Sequence, residues 1–270
     1  MTPRPAPPAV ATRRATRGGG RLGWTAGLLA VLAASLVTAA AVGPAEISGS
    51  DVLGSALHQL GLGPDPLTSV RDAILWQGRV PRALTAAAVG AGLAICGAVM
   101  QGLTRNALAD PYLLGVSAGA SLGAVGVLVL GIAILLPVAA VAGALGALAA
   151  TLALAGAAGA FSPSRTILAG LAVAQACAAV TSFVIFSSAT GDSYREILSW
   201  LLGSVAGADW GTVAISGGAL AIGLPVLLGA SRTLDAFTFG DVAAASLGVH
   251  VARARRGLFV AVALLTGALV

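Results

Sequence analysis

Ala83 to Thr104 runs 22 residues without a charged side chain, and Tyr112 to Ser164 runs 53. Shorter uncharged runs cover Leu22 to Gly43, Thr166 to Ser188 and Gly211 to Ser231. A run of this kind has few places to go. About 20 apolar residues at ~1.5 Å each cross the ~30 Å hydrocarbon core of a bilayer, with every backbone polar group satisfied inside the helix. Water offers no alternative. Only 9% of the 270 residues are charged and mean hydropathy is +0.95, where soluble domains carry roughly 25% charge. The short alternating segments of a β-barrel are absent. The expected fold class is all-α, a polytopic transmembrane helical bundle.

The formal charge is +5 and the sequence pI about 10.5, with all fifteen basic residues arginine. Their placement points to lipid and not to nucleic acid, because they flank the apolar runs. With the amino terminus in the cytoplasm, eleven arginines fall on the cytoplasmic side. Arg71, Arg79, Arg82 and Arg195 fall outside. That asymmetry favours this orientation over its mirror image. Cys96 and Cys177 lie mid-run without CxxC spacing and read as buried free thiols. Neither His58 nor His250 has a metal-ligand neighbour at ligand spacing.

Residues 1–21, rich in Pro, Arg and Gly, are expected to form a disordered cytoplasmic tail ahead of a membrane domain over 22–270. The run Leu22 to Gly43 exceeds a signal-peptide core and reads as a retained first span. Ser48 or Ser50 should cap a short helix in "ISGSDVLGSALHQLG". The 53-residue run must hold two spans, with Pro137 at the turn or opening the later one. Ile197 to Ala208 is too short to span and reads as interfacial, with Trp200 and Trp210 at headgroup level. Arg232 to Arg256 reads as a polar connector. The last apolar run, Gly257 to Val270, would reach only ~21 Å, which gives about seven spans and suggests part of a longer sequence.

Between two of the runs lies "RNALADPYLLGVSAGAS", Arg105 to Ser121. Asn106 and Asp110 favour caps and turns, and Pro111 keeps its predecessor out of a helix. Gly115, Gly119 and Gly123 recur every four residues, a small-residue face on which helices approach closely in lipid.

Together "RVPRAL", "GAVMQGLTRNALADPYLLGVSAGAS" and "GDVAAASLGVHV" resemble the FecCD-type permeases, the membrane subunits of ABC importers for iron–siderophores, haem and cobalamin. The resemblance covers roughly residues 47–270. Ala107 stands where the family commonly has proline, and Val80 where it has leucine. The resemblance implies a type II importer permease fold of ten helices, of which about seven are present.

It also implies partners and roles. A periplasmic or lipid-anchored solute-binding protein delivers cargo outside, with Arg79 and Arg82 at the docking positions. An ABC ATPase dimer docks from the cytoplasm on the segment 235–249, through Asp241, Ala243, Ala244 and Gly248. Ser162 and Ser164, in the loop "FSPSR", match the loop that narrows the cytoplasmic exit. A second permease copy, identical or paralogous, completes the pathway within membrane lipid. No cofactor is expected on this chain, since ATP and Mg belong to the ATPase and no G-x-x-x-x-G-K-[ST] occurs.

Three other functions compete with this one. An intramembrane enzyme needs paired carboxylates, a Ser–His pair or a metal set within the spans, and the first six runs hold no charge. An ion-coupled secondary transporter keeps an ionisable group or a broken helix at the midplane. A non-catalytic structural subunit is disfavoured by the motif match alone. The expectation is a non-enzymatic importer permease in the cell (plasma or inner) membrane, multi-pass, with a cytoplasmic amino terminus.

Overall fold

The computed structural model describes residues 17–131, 136–157, 162–188 and 191–269, and every regular element among them is helical. Helices α1 (Arg17–Ala41), α2 (Gly49–Gln59) and α3 (Ser69–Ile74) lead into a π-helical turn, Leu75–Arg79. Helix α4 (Val80–Thr104) and a 3-10 turn (Pro111–Leu114) precede α5 (Val116–Leu130), α6 (Leu136–Ala157), α7 (Pro163–Ser188) and α8 (Gly191–Leu202). Helices α9 (Trp210–Gly229), α10 (Ser231–Thr238), α11 (Asp241–Ser246) and α12 (Val251–Leu269) complete the order. Five helical stretches are long and apolar enough to cross a membrane: Leu22–Ala41, Ser69–Thr104, Leu136–Ala157, Pro163–Ser187 and Trp210–Gly229. The chain forms two compact units, Met1–Leu75 and Trp76–Val270.

In the first unit α1 is exposed along almost its whole apolar length, which suits a helix surrounded by lipid tails. It begins at Arg17, so residues 17–21 are helical and not part of a disordered tail; residues 1–16 lie outside the described residues. Of the two serines considered as caps, Ser48 is the N-cap of α2. Its hydroxyl accepts from the Asp51 N–H, and the Asp51 carboxylate accepts from the Ser48 N–H. This reciprocal box satisfies two otherwise orphaned donors.

The second unit is built on backbone-to-backbone packing. A Cβ on Gly119 would run into the carbonyl of Gly143, one on Gly123 into that of Ala139, and one on Gly143 into that of Gly119. Helices α5 and α6 therefore touch along main chain, the arrangement that gives dispersion contact where lipid offers no hydrophobic drive. Gly115 is not on that helical face. It sits in the turn before α5 at φ 75°, against the Gly170 carbonyl of α7. Pro137 lies in the first turn of α6, where its missing N–H costs nothing.

Helix α12 runs through the core. Leu258, Phe259, Val262 and Leu265 pack in one cluster with Met100 and Leu103 of α4, Ala144 of α6 and Leu227 of α9. It starts at Val251 and not near Gly257, so its 19 residues reach ~28 Å, of which the first turns carry three arginines and the rest is uncharged. Arg253, Arg255 and Arg256 belong to this helix and not to the connector. Alanine and arginine are strong helix formers, and nothing after His250 breaks the run.

The polar loop between α4 and α5 is assembled from caps. Arg105 ends α4 in the left-handed region at φ 52°. The Asn106 carboxamide oxygen accepts from the Leu108 N–H at 2.9 Å, and the Asp110 carboxylate from the Leu113 N–H at 3.1 Å. Pro111 opens the 3-10 turn. Inside the bundle the Thr151 hydroxyl donates to the Leu114 carbonyl at 3.0 Å.

Candidate functional site

Helices α4, α5, α6, α8, α9 and α12 border a half-open cavity of about 890 Å³. Its hydroxyl-bearing lining residues are Thr85, Tyr112, Ser117, Ser121, Ser204 and Thr212, and the rest of the described wall is apolar or glycine. Among the described residues its lining carries no carboxylate, amine or guanidinium. A smaller space of about 150 Å³ shares Thr85 and Thr212 and adds Ser216 and Gly267. Thr85 is 3% exposed and its hydroxyl has no partner among the described residues. A buried hydroxyl left unpaired costs on the order of 1–3 kcal/mol. Such a wall can pass a large solute without holding it by charge. The sequence signal was two serines at i, i+4 in an apolar run, Ser117 and Ser121, which packing arguments alone passed over. Trp200, expected at headgroup level, is half-buried and lines this cavity.

At one end of α4 and α9 the structure separates two arginines grouped by the sequence. Arg82 is exposed, whereas Arg79 is buried at 8% exposure and takes part in interactions of its own. Trp210 does not stand alone as an anchor. It stacks on Trp76, and α9 starts beside it with Asp209 as N-cap. The Thr212 N–H and hydroxyl bond the Asp209 carboxylate at 2.8 Å each, which holds that carboxyl below its ordinary value.

At the other end lies the connector. Helices α10 and α11 meet at Gly240, φ 96°. The Arg105 guanidinium stands 3.2 Å from where a Gly240 Cβ would be. Of the residues assigned to coupling, Asp241 is turned inward, with its Oδ1 2.7 Å from Arg255 Nη2. Ala244 is fully buried in the core, Ala243 is half-buried, and Gly248 is exposed at φ 85° with open space around it. Beside the exposed Asp235, Thr238 and Ser246, the segment presents three large apolar side chains outward: Phe239 at 77%, Val242 at 84% and Leu247 at 69% exposure. Sequence reasoning missed these three, since only the placement of α11 shows which side faces out.

Ser162 and Ser164 do not form a loop. Helix α7 begins at Pro163, and Ser162 caps it, its hydroxyl accepting from the Arg165 N–H at 3.4 Å and its carbonyl from the Thr166 hydroxyl at 3.0 Å. Proline at a first helical position behind a serine is a start signal. Phe161 lies outside the described residues. Among the described residues no three His, Cys, Asp or Glu side chains gather as a metal site.

Apolar helices bordering a half-open cavity of hydroxyl-bearing and apolar residues are an arrangement compatible with a membrane permease. The chain belongs to the FecCD transport family, which matches residues 29–270. It is 40% identical over 199 residues to the uncharacterized ABC transporter permease protein YvrB of Bacillus subtilis, covering 71% of this chain and 56% of YvrB. It is 37% identical over 194 residues to the cobalamin import system permease protein BtuC of Halobacterium salinarum, covering 71% of this chain and 52% of the relative. To the vitamin B12 import system permease protein BtuC of Escherichia coli it is 37% identical over 192 residues, 68% of this chain and 57% of that one. The chain thus spans about half the length of the curated relatives it matches. A solved metal-chelate-type ABC transporter in an inward-facing conformation superimposes with a TM-score of 0.74 at 26% identity, over 90% of this chain and 72% of that one.

Proposed function

We propose that this chain is the permease subunit of an ABC importer and that its cavity carries a metal chelate: an iron–siderophore, haem or cobalamin. The carrying observation is the cavity of about 890 Å³, whose described lining is hydroxyl-bearing, apolar or glycine. A chelate presents a bulky, charge-masked surface, and a wall of apolar side chains interspersed with hydroxyl-bearing residues suits it. A bare ion would need fixed charge or a carbonyl cage. The family's iron cargo favours the siderophore; the names of the Halobacterium and Escherichia relatives favour the corrinoid.

On this reading the amino terminus is cytoplasmic. Arg82 meets carboxylates of a solute-binding protein outside, and Phe239, Val242 and Leu247 seat on an ATPase subunit inside. A second permease copy closes the pathway. ATP binding by the partner moves the connector, and binding-protein and ATPase effects are reciprocal because both bias one equilibrium. The experiment is uptake by proteoliposomes holding the permease with its ATPase and binding protein, offered cyanocobalamin, haem or a ferric hydroxamate. ATP-dependent accumulation of one supports the reading. Equal leakage of all three with and without ATP would overturn it.

A further inference from the structure

Arg255 is only 2% exposed, in the second turn of a helix whose neighbouring arginines, Arg253 and Arg256, are exposed. Its Nη2 donates to Asp241 Oδ1 at 2.7 Å. Its guanidinium carbon stands 5.3 Å from the Phe237 ring centroid, over the ring face. Its Nε reaches no acceptor among the described residues. The Asp241 side chain is 37% exposed, while that of Arg255 is 3% exposed. The pair is therefore asymmetric. Asp241 could be hydrated if it left, but Arg255 would be stranded, and an uncompensated buried charge is the costly outcome. Ala244, fully buried in the cluster that contains Leu258 and Phe259, adds an apolar contact on the same side. Helix α11 cannot lift from α12 without breaking both.

The far end of α12 is a cavity wall. Gly267, Ala268 and Leu269 line the smaller space, and Leu269 also lines the larger. From Arg255 to Ala268 is thirteen residues, ~20 Å of continuous helix. The same helix is pinned to Asp241 at one end and borders the cavity at the other.

We propose that Arg255 is a positioning residue that makes α11 and α12 one moving part. A partner pressing on the exposed Phe239, Val242 and Leu247 face then shifts the wall formed by Gly267, Ala268 and Leu269. The partner rests on the permease reading; the mechanical link does not. Two measurements separate them. The first needs no partner: spin labels at Val242 and Leu264 in the purified chain in nanodiscs, with a control pair at Leu154 and Leu264. The double variant Asp241→Asn/Arg255→Met removes both charges, so neither is stranded. It is expected to elute as one species, to broaden the Val242–Leu264 distance distribution and to leave the control pair narrow. Arg255→Lys restores a narrow distribution. A Val242–Leu264 distribution as narrow in the double variant as in the parent overturns the link.

The second adds the ATPase at saturation and follows maleimide labelling of Ala268→Cys in a Cys177→Ser background. ATP is expected to change the parent rate about fivefold, and the double variant, with ATPase still bound, by no more than its scatter. Full response in the double variant overturns the transmission. A parent that binds no ATPase overturns the permease reading instead, and the spin-label result continues to decide the link.

Discussion

Trp210 donates its indole N–H to the main-chain carbonyl of Trp76 at 2.9 Å, and the two rings stack with centroids 6.5 Å apart and planes 13° from parallel. Trp76 lies in the π turn 75–79, just ahead of α4. The indole bond and the ring stack fasten the starts of α4 and α9 together. Trp210→Phe keeps an aromatic ring but loses the bond, and should lower stability by about 1 kcal/mol. Trp210→Ala should cost more and abolish the signal of the stacked indoles in near-UV circular dichroism. Equal melting of all three proteins would show that the carbonyl finds another donor.

Glycines on one helix should respond with opposite signs. Gly143→Ala places a methyl against the Gly119 main chain, whereas a Cβ at Gly146 meets nothing within 4 Å. The first should destabilise by about 2 kcal/mol through overpacking, and the second should be neutral or gain up to about 1 kcal/mol in helix propensity. Thermal unfolding in detergent, read side by side, checks the contrast.

The two docking-position arginines should separate in the same way. Arg82→Glu changes an exposed charge and should leave a monodisperse protein whose affinity for the binding protein falls by about 10-fold or more. Arg79→Glu replaces a buried, engaged arginine and should reduce the folded yield itself. Size-exclusion profiles and binding isotherms tell the outcomes apart, and unchanged binding by Arg82→Glu removes the docking role.

Asp209 predicts a pH dependence. Its carboxyl is held below the ordinary 3.8 by the Thr212 N–H and hydroxyl, so the folded state favours the carboxylate. Its contribution is complete above the unfolded value and is lost as pH falls through the folded one. Asp209→Ala should therefore melt lower than the parent at pH 7, and the gap should close as pH falls through the lowered folded-state value. A gap that persists unchanged at low pH would assign the effect to packing.

An apolar face should be sensitive to charge. Val242→Asp, at a side chain 84% exposed, should leave the fold intact and weaken ATPase association at least about tenfold, measured by co-purification. Association equal to the parent would move the docking surface elsewhere on the connector.

Much of this was legible in the linear order of residues. The uncharged runs located α1, α4, α5, α6, α7 and α9, because burial in lipid constrains composition over ~20 residues and needs no knowledge of neighbours. The caps at Ser48, Asn106 and Asp110 were legible for a similar reason: each acts on backbone within three residues. The start of α12 was misplaced because a charged residue was read as the end of a helix. Arg255 is charged and buried together, and its partner lies fourteen residues away.

The sequence by itself determined that this chain threads a bilayer as helices, roughly where each begins, and which family it resembles, since local backbone chemistry and hydropathy settle those. The tertiary structure alone decided which arginine of a pair is buried, that Asp241 points inward while Phe239, Val242 and Leu247 face out, and that scattered hydroxyls from Thr85 to Thr212 share one cavity. Those are properties of contact between distant segments. A residue's type states what it can bond, but its neighbours exist only once the helices have packed.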